Sequence, residues 1–273
     1  MYTKRFNLRS HPLPKDAAGK TFFAETGGYA RLGRAFETLL DDCGLGLLTG
    51  AAGVGKTAAI RNLCRALPSP DHRVLYLCDT AVSPLDVYRT LALELGVKPS
   101  HRRSQLWTDI KRALTHLVDE HGTVPVIVID EAQHLSDRFL IDLSGFLNFA
   151  FDSRDLFPLW LVGMPRLAAS LRLQQHAALA MRVAVHVHLE PLGRDELVAM
   201  IAHGLGAAGA TDKLLSDPAL EMLFRVCQGF PRVASRLLRT ALREAHRREQ
   251  AFVDEHVLEA VIEQMGVALT GAR

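Results

Sequence analysis

The sequence lacks any apolar run that approaches the ~20 residues needed for a membrane-spanning helix. Its N-terminal stretch, MYTKRFNLRSHPLPKD, also lacks the apolar core that a secretory signal peptide requires. From these two absences we expect a soluble, cytoplasmic protein without a membrane partner.

Cysteine is scarce, with four residues among 273 and no C-x-x-C pair. This pattern argues against a disulfide framework and against a zinc site built on cysteine pairs. Charge of one sign is not in excess either, because the formal net charge is +2. A chain that bound nucleic acid over a broad surface would be strongly basic, so any such site must be local.

The most informative stretch is residues 45–57, LGLLTGAAGVGKT, in which an apolar run precedes the phosphate-loop pattern G-x-x-x-x-G-K-T. The glycines let the backbone wrap a phosphate, the lysine contacts the β- and γ-phosphates, and the threonine hydroxyl ligates Mg²⁺. A helix pattern follows the loop, and the dipole of a helix N-terminus favours an anion. The predicted nucleotide-binding residues of this loop are Gly50, Ala51, Ala52, Gly53, Val54, Gly55, Lys56, Thr57 and Ala58.

Strand and helix patterns alternate through most of the chain, and no internal repeat interrupts them. The continuous apolar runs at residues 124–129 and 157–162 suit strands buried on both faces of a parallel sheet. After residue 206 only helical patterns occur. We predict an α/β fold with a basic, irregular N-terminal arm at 1–20, a nucleotide-binding domain at 21–206 and a small all-helical domain at 207–273.

Asp130 and Glu131 directly follow the strongest of these strand patterns. Two adjacent acids usually lie in a solvated loop, but downstream of a phosphate loop they are typical of the acidic half of an ATP site. We expect Asp130 to bind the nucleotide through Mg²⁺, together with Thr57. We expect Glu131 to orient or deprotonate the attacking water.

Five segments, in their order and spacing, resemble the AAA+ ATPases of the ExeA type: GAAGVGKT, VIVIDEAQHL, LVGMPRL, ALAMRVAVHVHLEPLGRDEL and GFPRVASRLLRTAL. The resemblance runs from about residue 22 to the end of the chain. YARLGRA and FLNFAFDS further resemble the transposon-associated branch of these proteins, the ATP-binding subunits that select targets for a transposase.

The resemblance implies an AAA+ P-loop NTPase fold, with a five-stranded parallel sheet flanked by helices and a C-terminal all-helical lid. It implies ATP and Mg²⁺ as cofactors. Besides Glu131, the catalytic set that it implies includes Arg232 as the lid arginine (sensor 2) and Arg182 as the arginine finger. A finger acts on the nucleotide of a neighbouring subunit, so a homo-oligomer, either a ring or a filament, is also implied.

Met164 departs from the family pattern, because members usually carry a polar residue after the glycine of LVG. A methionine side chain cannot position a water by hydrogen bonding. Either this sensor is weak and hydrolysis slow, or another polar group takes its place.

Two local basic clusters are candidates for contact with double-stranded DNA. The first, at the start of a predicted helix whose dipole it opposes, is Lys98, His101, Arg102 and Arg103. The second is a stripe along a later predicted helix: Arg232, Arg236, Arg239, Arg243 and Arg247. A solvated loop and a solubilising helix face are the ordinary alternatives. Contacts of this kind go to phosphates, so we expect little sequence specificity.

The leading hypothesis is a slow, Mg-dependent ATPase that oligomerises with ATP, binds duplex DNA non-specifically and regulates a transposase. The alternative is a secretion-pathway assembly ATPase. Such relatives typically carry a membrane helix and a wall-binding domain after the ATPase, and we expect neither here. A non-enzymatic, nucleotide-gated scaffold is a third class, which Glu131 and Arg182 disfavour and Met164 keeps open.

Overall fold

The structure is a computed structural model that describes residues 1–14, 22 and 24–266. The strands are β1 Gly44–Gly50, β2 His72–Leu77, β3 Val124–Ile129, β4 Pro158–Gly163 and β5 Val183–Leu189. The α-helices of the described residues are α1 Tyr2–Arg5, α2 Gly27–Asp42, α3 Lys56–Ala66, α4 Pro84–Glu94, α5 Arg103–Asp119, α6 Asp137–Phe146, α7 Pro165–Leu171, α8 Ala177–Ala180, α9 Arg194–Ala207, α10 Asp217–Cys227, α11 Pro231–Arg247 and α12 Glu255–Met265. Over this part of the chain, no helix combines the length and the apolar character needed to cross a membrane.

The five strands form one parallel sheet in the order β2-β3-β4-β1-β5. This confirms the predicted α/β fold and its five-stranded parallel sheet. Strands β1, β3 and β4 are almost entirely buried, as their continuous apolar sequences indicate. Because all five strands run in one direction, the residues that follow β1 and β3 share one edge of the sheet, the carboxyl edge.

The chain forms two compact units. A helical unit consists of Met1–Glu25, Ala52–Ala59 and Glu190–Arg273, and a sheet unit consists of Thr26–Ala51 and Ile60–Leu189. The sheet unit contains the five strands, whereas the helical unit contains residues 52–57 of the phosphate loop and helices α9 to α12. Compactness alone does not define a functional domain, so the domain bounds expected at residues 20 and 206 stay predictions.

In the sheet unit, a glycine allows α2 to lie close against the sheet. A Cβ atom on Gly46 would lie 2.5 Å from Leu39 Cδ1 and 2.7 Å from Trp160 Cε3, so no larger residue fits without displacement. The Trp160 ring also stacks on Phe36, with ring centroids 5.9 Å apart. On the opposite face of the sheet, α4, α5 and α6 contribute a cluster of aromatic rings: Tyr88, Trp107, Phe139 and Phe146.

In the helical unit, α1 packs against α11, so the expectation of a wholly irregular arm at residues 1–20 was wrong. Tyr2 and Phe6 are four residues apart, which places them on one face of a helical turn, and both are buried. The surrounding basic residues hid this short apolar pattern in the sequence. Residues 15–20 of the predicted arm lie outside the described residues.

The turn before α11 contains a glycine with no room for a side chain. Gly229 has a φ of 76°, and a Cβ atom there would lie 2.1 Å from the carbonyl oxygen of Leu192. The N–H of Leu192 donates to the carbonyl oxygen of Gly229 at 2.9 Å. This close pairing of two backbone segments lies directly before α11, which begins at Pro231.

We expect Gly229→Ala to destabilise the protein by about 1–3 kcal/mol beyond the cost of the positive φ, because the backbone at Leu192 must move. Gly96→Ala is the matched control, since its φ is 78° and nothing lies within 4 Å of the added Cβ. Thermal unfolding followed by circular dichroism compares the two. Equal melting temperatures would show that the contact with Leu192 is dispensable.

Candidate nucleotide site

The phosphate loop has the backbone conformation that its glycines predict. Gly53 and Gly55 have φ values of 89° and 99°, which glycine adopts without steric cost. Helix α3 begins at Lys56, which is only 8% exposed. A cation so deeply placed at the N-terminus of a helix fits an anionic ligand. The other predicted loop residues follow the same path, from the end of β1 to the first turn of α3: Gly50, Ala51, Ala52, Val54, Thr57 and Ala58.

The helical unit brings Arg232 to this loop. The N–H of Arg232 donates to the carbonyl oxygen of Gly53 at 3.3 Å. A Cβ atom on Gly53 would lie 3.3 Å from Arg232 Cβ and 3.9 Å from Phe230 Cδ1, so the two segments are in close contact. Arg232 is the second residue of α11 and is exposed. Its position beside the phosphate loop suits the role of lid arginine that the resemblance implies. Its action on a nucleotide stays a prediction.

Asp130 and Glu131 follow β3 at the carboxyl edge of the sheet. The buried Asp130 carboxylate accepts hydrogen bonds from the Tyr76 hydroxyl at 2.9 Å and from the Glu131 N–H at 2.8 Å. Burial, reinforced by the charge of Asp130, raises the pKa of Tyr76, so the phenol keeps the proton that it donates. Glu131 has a φ of 51°, and its carbonyl oxygen accepts from the Thr80 hydroxyl at 2.8 Å. These contacts hold the acidic pair in a defined orientation.

Gln133 supplies a polar group beside Met164. Its Nε2 donates to the Glu131 carboxylate at 2.5 Å, and its Oε1 accepts from the Met164 N–H at 2.9 Å. A Cβ atom on Gly163 would lie 2.6 Å from Gln133 Oε1, so the glycine before Met164 makes room for this amide. Gln133 was not predicted from the sequence, although it lies within the segment VIVIDEAQHL. Its closeness to Met164 depends on β3 and β4 being neighbours in the sheet.

Arg182 lies at the opposite edge of the same sheet. It directly precedes β5, whose first residue Val183 pairs with Leu45 near the start of β1. Glu131 instead follows the last residue of β3. Six residues of strand span about 20 Å. The sheet unit therefore separates Arg182 from Glu131 of the same chain.

Arg103, from the first basic cluster, has partners within the sheet unit. Its guanidinium pairs with Asp142 at 2.9 Å and lies 4.3 Å from the ring centroid of Trp107. These contacts explain a cation at the N-terminus of α5 without any nucleic acid. The other members of the cluster are exposed at the surface: Lys98, His101 and Arg102.

The arginine stripe of α11 also has contacts within its own unit. Arg247 pairs with Glu244 at 3.4 Å, so one arginine of the stripe has an acidic partner on its own helix. Arg239 Nε donates to a backbone carbonyl of the same helix at 3.2 Å. The Arg243 guanidinium lies 5.9 Å from the ring centroid of Tyr2. These contacts favour the interpretation of the stripe as a solubilising face.

Residues 39–171 match a family model described as AAA domain. The chain is also 28% identical over 255 residues to General secretion pathway protein A of Aeromonas hydrophila. That alignment covers 91% of this chain and 45% of the relative, so the chain spans less than half the relative's length. The two matches show that this chain is similar to AAA-domain proteins and to General secretion pathway protein A.

Three solved structures have a similar fold. Cdc6p from Pyrobaculum aerophilum matches with a TM-score of 0.72 at 17% identity, covering 99% of this chain and 72% of that one. The Aeropyrum pernix ORC1 protein in complex with DNA matches with a TM-score of 0.68 at 18% identity, covering 93% and 68%. The RuvB Holliday junction branch migration motor of Thermotoga maritima matches with 0.62 at 19%, covering 97% and 75%. At such identities the likeness shows the fold, an α/β P-loop NTPase.

We expect Gln133→Leu to lower kcat for ATP hydrolysis by about tenfold, or ~1.4 kcal/mol, because the Glu131 carboxylate loses the amide that orients it. The affinity for a fluorescent ATP analogue should stay within twofold of the wild type. Gln105→Leu is the control, since this exposed amide bonds to its helix neighbour Asp109 at 2.8 Å, away from Glu131 in the sequence. An unchanged kcat in Gln133→Leu would remove Gln133 from the hydrolytic site.

Proposed function

We propose that this chain is a Mg-dependent ATPase that assembles with ATP into a homo-oligomer on double-stranded DNA. In that assembly it regulates a transposase by selecting or marking the target. The observation that carries the proposal is the placement of Arg182 and Glu131 at opposite edges of one parallel sheet. The match of residues 39–171 to an AAA domain supports ATP hydrolase activity.

The nucleotide is held by residues whose chemistry suits a phosphate chain. Lys56 contributes a cation, and the loop glycines allow the backbone to approach the phosphates. The hydroxyl of Thr57 and the carboxylate of Asp130 are oxygen ligands of the kind that Mg²⁺ prefers, so these residues would hold it. When bound, Mg²⁺ neutralises charge on the phosphate oxygens.

Hydrolysis requires a base whose carboxylate is aimed at the attacking water. Glu131 fits this role, because its backbone is fixed by Thr80 and its carboxylate by Gln133. The negative charge that develops on the transferred phosphoryl group is then stabilised by arginines. We assign this stabilisation to Arg232 of the same chain and Arg182 of a neighbouring chain. Slow turnover, below about 1 s⁻¹, stays a prediction.

The position of Arg182 supports the proposal of an oligomer. A side chain at the amino edge of the sheet cannot serve an acidic pair about 20 Å away at the carboxyl edge. If Arg182 acts as the arginine finger, the phosphate that it contacts belongs to another copy. ATP therefore links adjacent subunits, and its hydrolysis loosens them.

Duplex DNA is the proposed template for assembly. Lys98, His101 and Arg102 are exposed together before α5, where phosphates could neutralise them. Cationic contacts of this kind bind any sequence and weaken as salt rises. The similar Aeropyrum pernix ORC1 structure was solved in complex with DNA, which favours a DNA-directed role. The proposed transposase partner rests on the YARLGRA and FLNFAFDS segments.

The second candidate function is assembly in a secretion pathway. The observation that favours it is the 28% identity to General secretion pathway protein A, which extends over 91% of this chain. Duplex DNA binding discriminates between the two functions. A secretion ATPase needs no ATP-dependent affinity for random duplex DNA, whereas the transposition regulator does.

We expect Lys56→Ala to abolish binding of an ATP analogue, because the cation on the phosphates is lost. Glu131→Gln should bind ATP with unchanged affinity but fail to hydrolyse it, and so accumulate as oligomers that sedimentation detects. The amide keeps the shape of the carboxylate but lacks its charge and cannot accept a proton from the attacking water. Full hydrolysis by Glu131→Gln would exclude Glu131 as the base.

We expect the double substitution Lys98→Ala and Arg102→Ala to weaken ATP-dependent binding to random duplex DNA by about tenfold near 0.1 M salt. The slope of log affinity against log salt should fall by about 2, because two phosphate contacts are lost. Arg112→Ala is the control, since Arg112 is an exposed arginine of the same helix α5. Fluorescence anisotropy with labelled DNA measures both quantities. Unchanged affinity in the double variant would leave this cluster without a DNA role.

A further inference from the structure

We infer that the turn Ala150–Asp152 is a contact surface for a second copy of this chain, in which Phe151 docks on the neighbour and Asp152 releases Arg182. The inference rests on the proposed role of Arg182 as a finger that acts between subunits. It adds a docking residue and a holding residue that neither the motifs nor the comparisons assign.

Phe151 is held fully in solvent. Its side chain is 105% exposed, and Met181, which precedes Arg182, is 88% exposed. Asp152 and Arg182 form an ion pair, so the two apolar side chains adjoin the same polar contact. A large aromatic side chain without cover in the isolated chain is typical of a protein-interaction site.

The turn that carries Phe151 has an unfavourable backbone conformation. Ala150, Phe151 and Asp152 have successive φ values of 48°, 58° and 63°, although none is glycine. Non-glycine residues rarely adopt this region, and runs of them are typical of functional or strained sites. The surrounding structure therefore holds the turn in this shape.

The flanks of the turn are well anchored in the sheet unit. Phe149 is buried and packs edge-on against Phe157, with ring centroids 5.8 Å apart. Phe149 also forms an antiparallel bridge with Arg154. The Ser153 hydroxyl donates to the Ala150 carbonyl oxygen at 2.6 Å. The loop is thus held in place at Phe149 and by contacts within it, while residues 150–155 are exposed to solvent.

Asp152 is the anion that pairs with the Arg182 guanidinium within the chain. The Asp152 side chain is 52% exposed and that of Arg182 is 22% exposed, so solvent screens the pair. Such exposed ion pairs are weak and readily exchanged for a stronger partner. A γ-phosphate carries more charge and more acceptor oxygens than a carboxylate, and it therefore competes well for the guanidinium.

The occupant of this surface is a second copy of the chain, because of where Arg182 lies. A phosphate that Arg182 contacts has to come from another subunit, since its own acidic pair is at the far edge of the sheet. Phe151 is covalently next to the residue that holds Arg182. Any subunit that brings a phosphate to Arg182 therefore also covers Phe151, and docking there displaces Asp152.

The first test is Phe151→Ser, assayed by sedimentation of the full chain with a non-hydrolysable ATP analogue and Mg²⁺. We expect the protein concentration for half-maximal assembly to rise at least tenfold, while analogue affinity stays within twofold. Phe252→Ser is the control, because Phe252 is another exposed phenylalanine, at 46%. Phe151→Leu should restore assembly at least partly, which separates a docking role from a folding defect.

The second test is Asp152→Asn, assayed by ATP hydrolysis against protein concentration. Because the amide holds Arg182 less tightly, we expect half-maximal hydrolysis at about threefold lower concentration. If the wild type assembles and hydrolyses ATP but Phe151→Ser behaves identically, the inference fails and the proposed function stands. If the wild type never assembles with nucleotide, both fail. If Phe151→Ser still self-assembles but no longer binds a different protein, the surface does not belong to a second copy of this chain.

Discussion

Parallel pairing of the five strands is the constraint on which the rest of this molecule depends. When all strands run in one direction, every residue that follows a strand lies at one edge of the sheet and every residue that precedes one lies at the other. Glu131 follows β3, and Arg182 precedes β5. In the proposed function these two groups act on one nucleotide, so joining them requires a neighbouring copy of the chain.

Close packing maintains that geometry. Gly46 lets α2 approach Trp160 on one face of β1, and the aromatic cluster of α4 to α6 covers the other. Because both faces are filled, the strands cannot shift register without losing buried area. Tyr76 on β2, the strand next to β3, connects the acidic pair to this packed sheet, because its hydroxyl donates to Asp130.

The sequence predicted those parts whose chemistry needs consecutive residues. A phosphate loop requires adjacent backbone groups, and the acidic pair requires a strand end, so both are visible as local motifs. Gln133 was missed because its position beside Met164 depends on which strands are neighbours. Phe151 was missed for a different reason. In an apolar segment such as FLNFAFDS it looks like a core residue, and only the left-handed turn exposes it.

The most direct test of the central claim is a mixing experiment with two inactive variants. Arg182→Ala keeps an intact nucleotide site, and Glu131→Gln keeps an intact finger. If Arg182 acts on a neighbour's nucleotide, mixing the two proteins with ATP restores hydrolysis at interfaces that combine one copy of each. Hydrolysis by Arg182→Ala alone at the wild-type rate, or no recovery in mixtures that demonstrably co-assemble, would contradict the account.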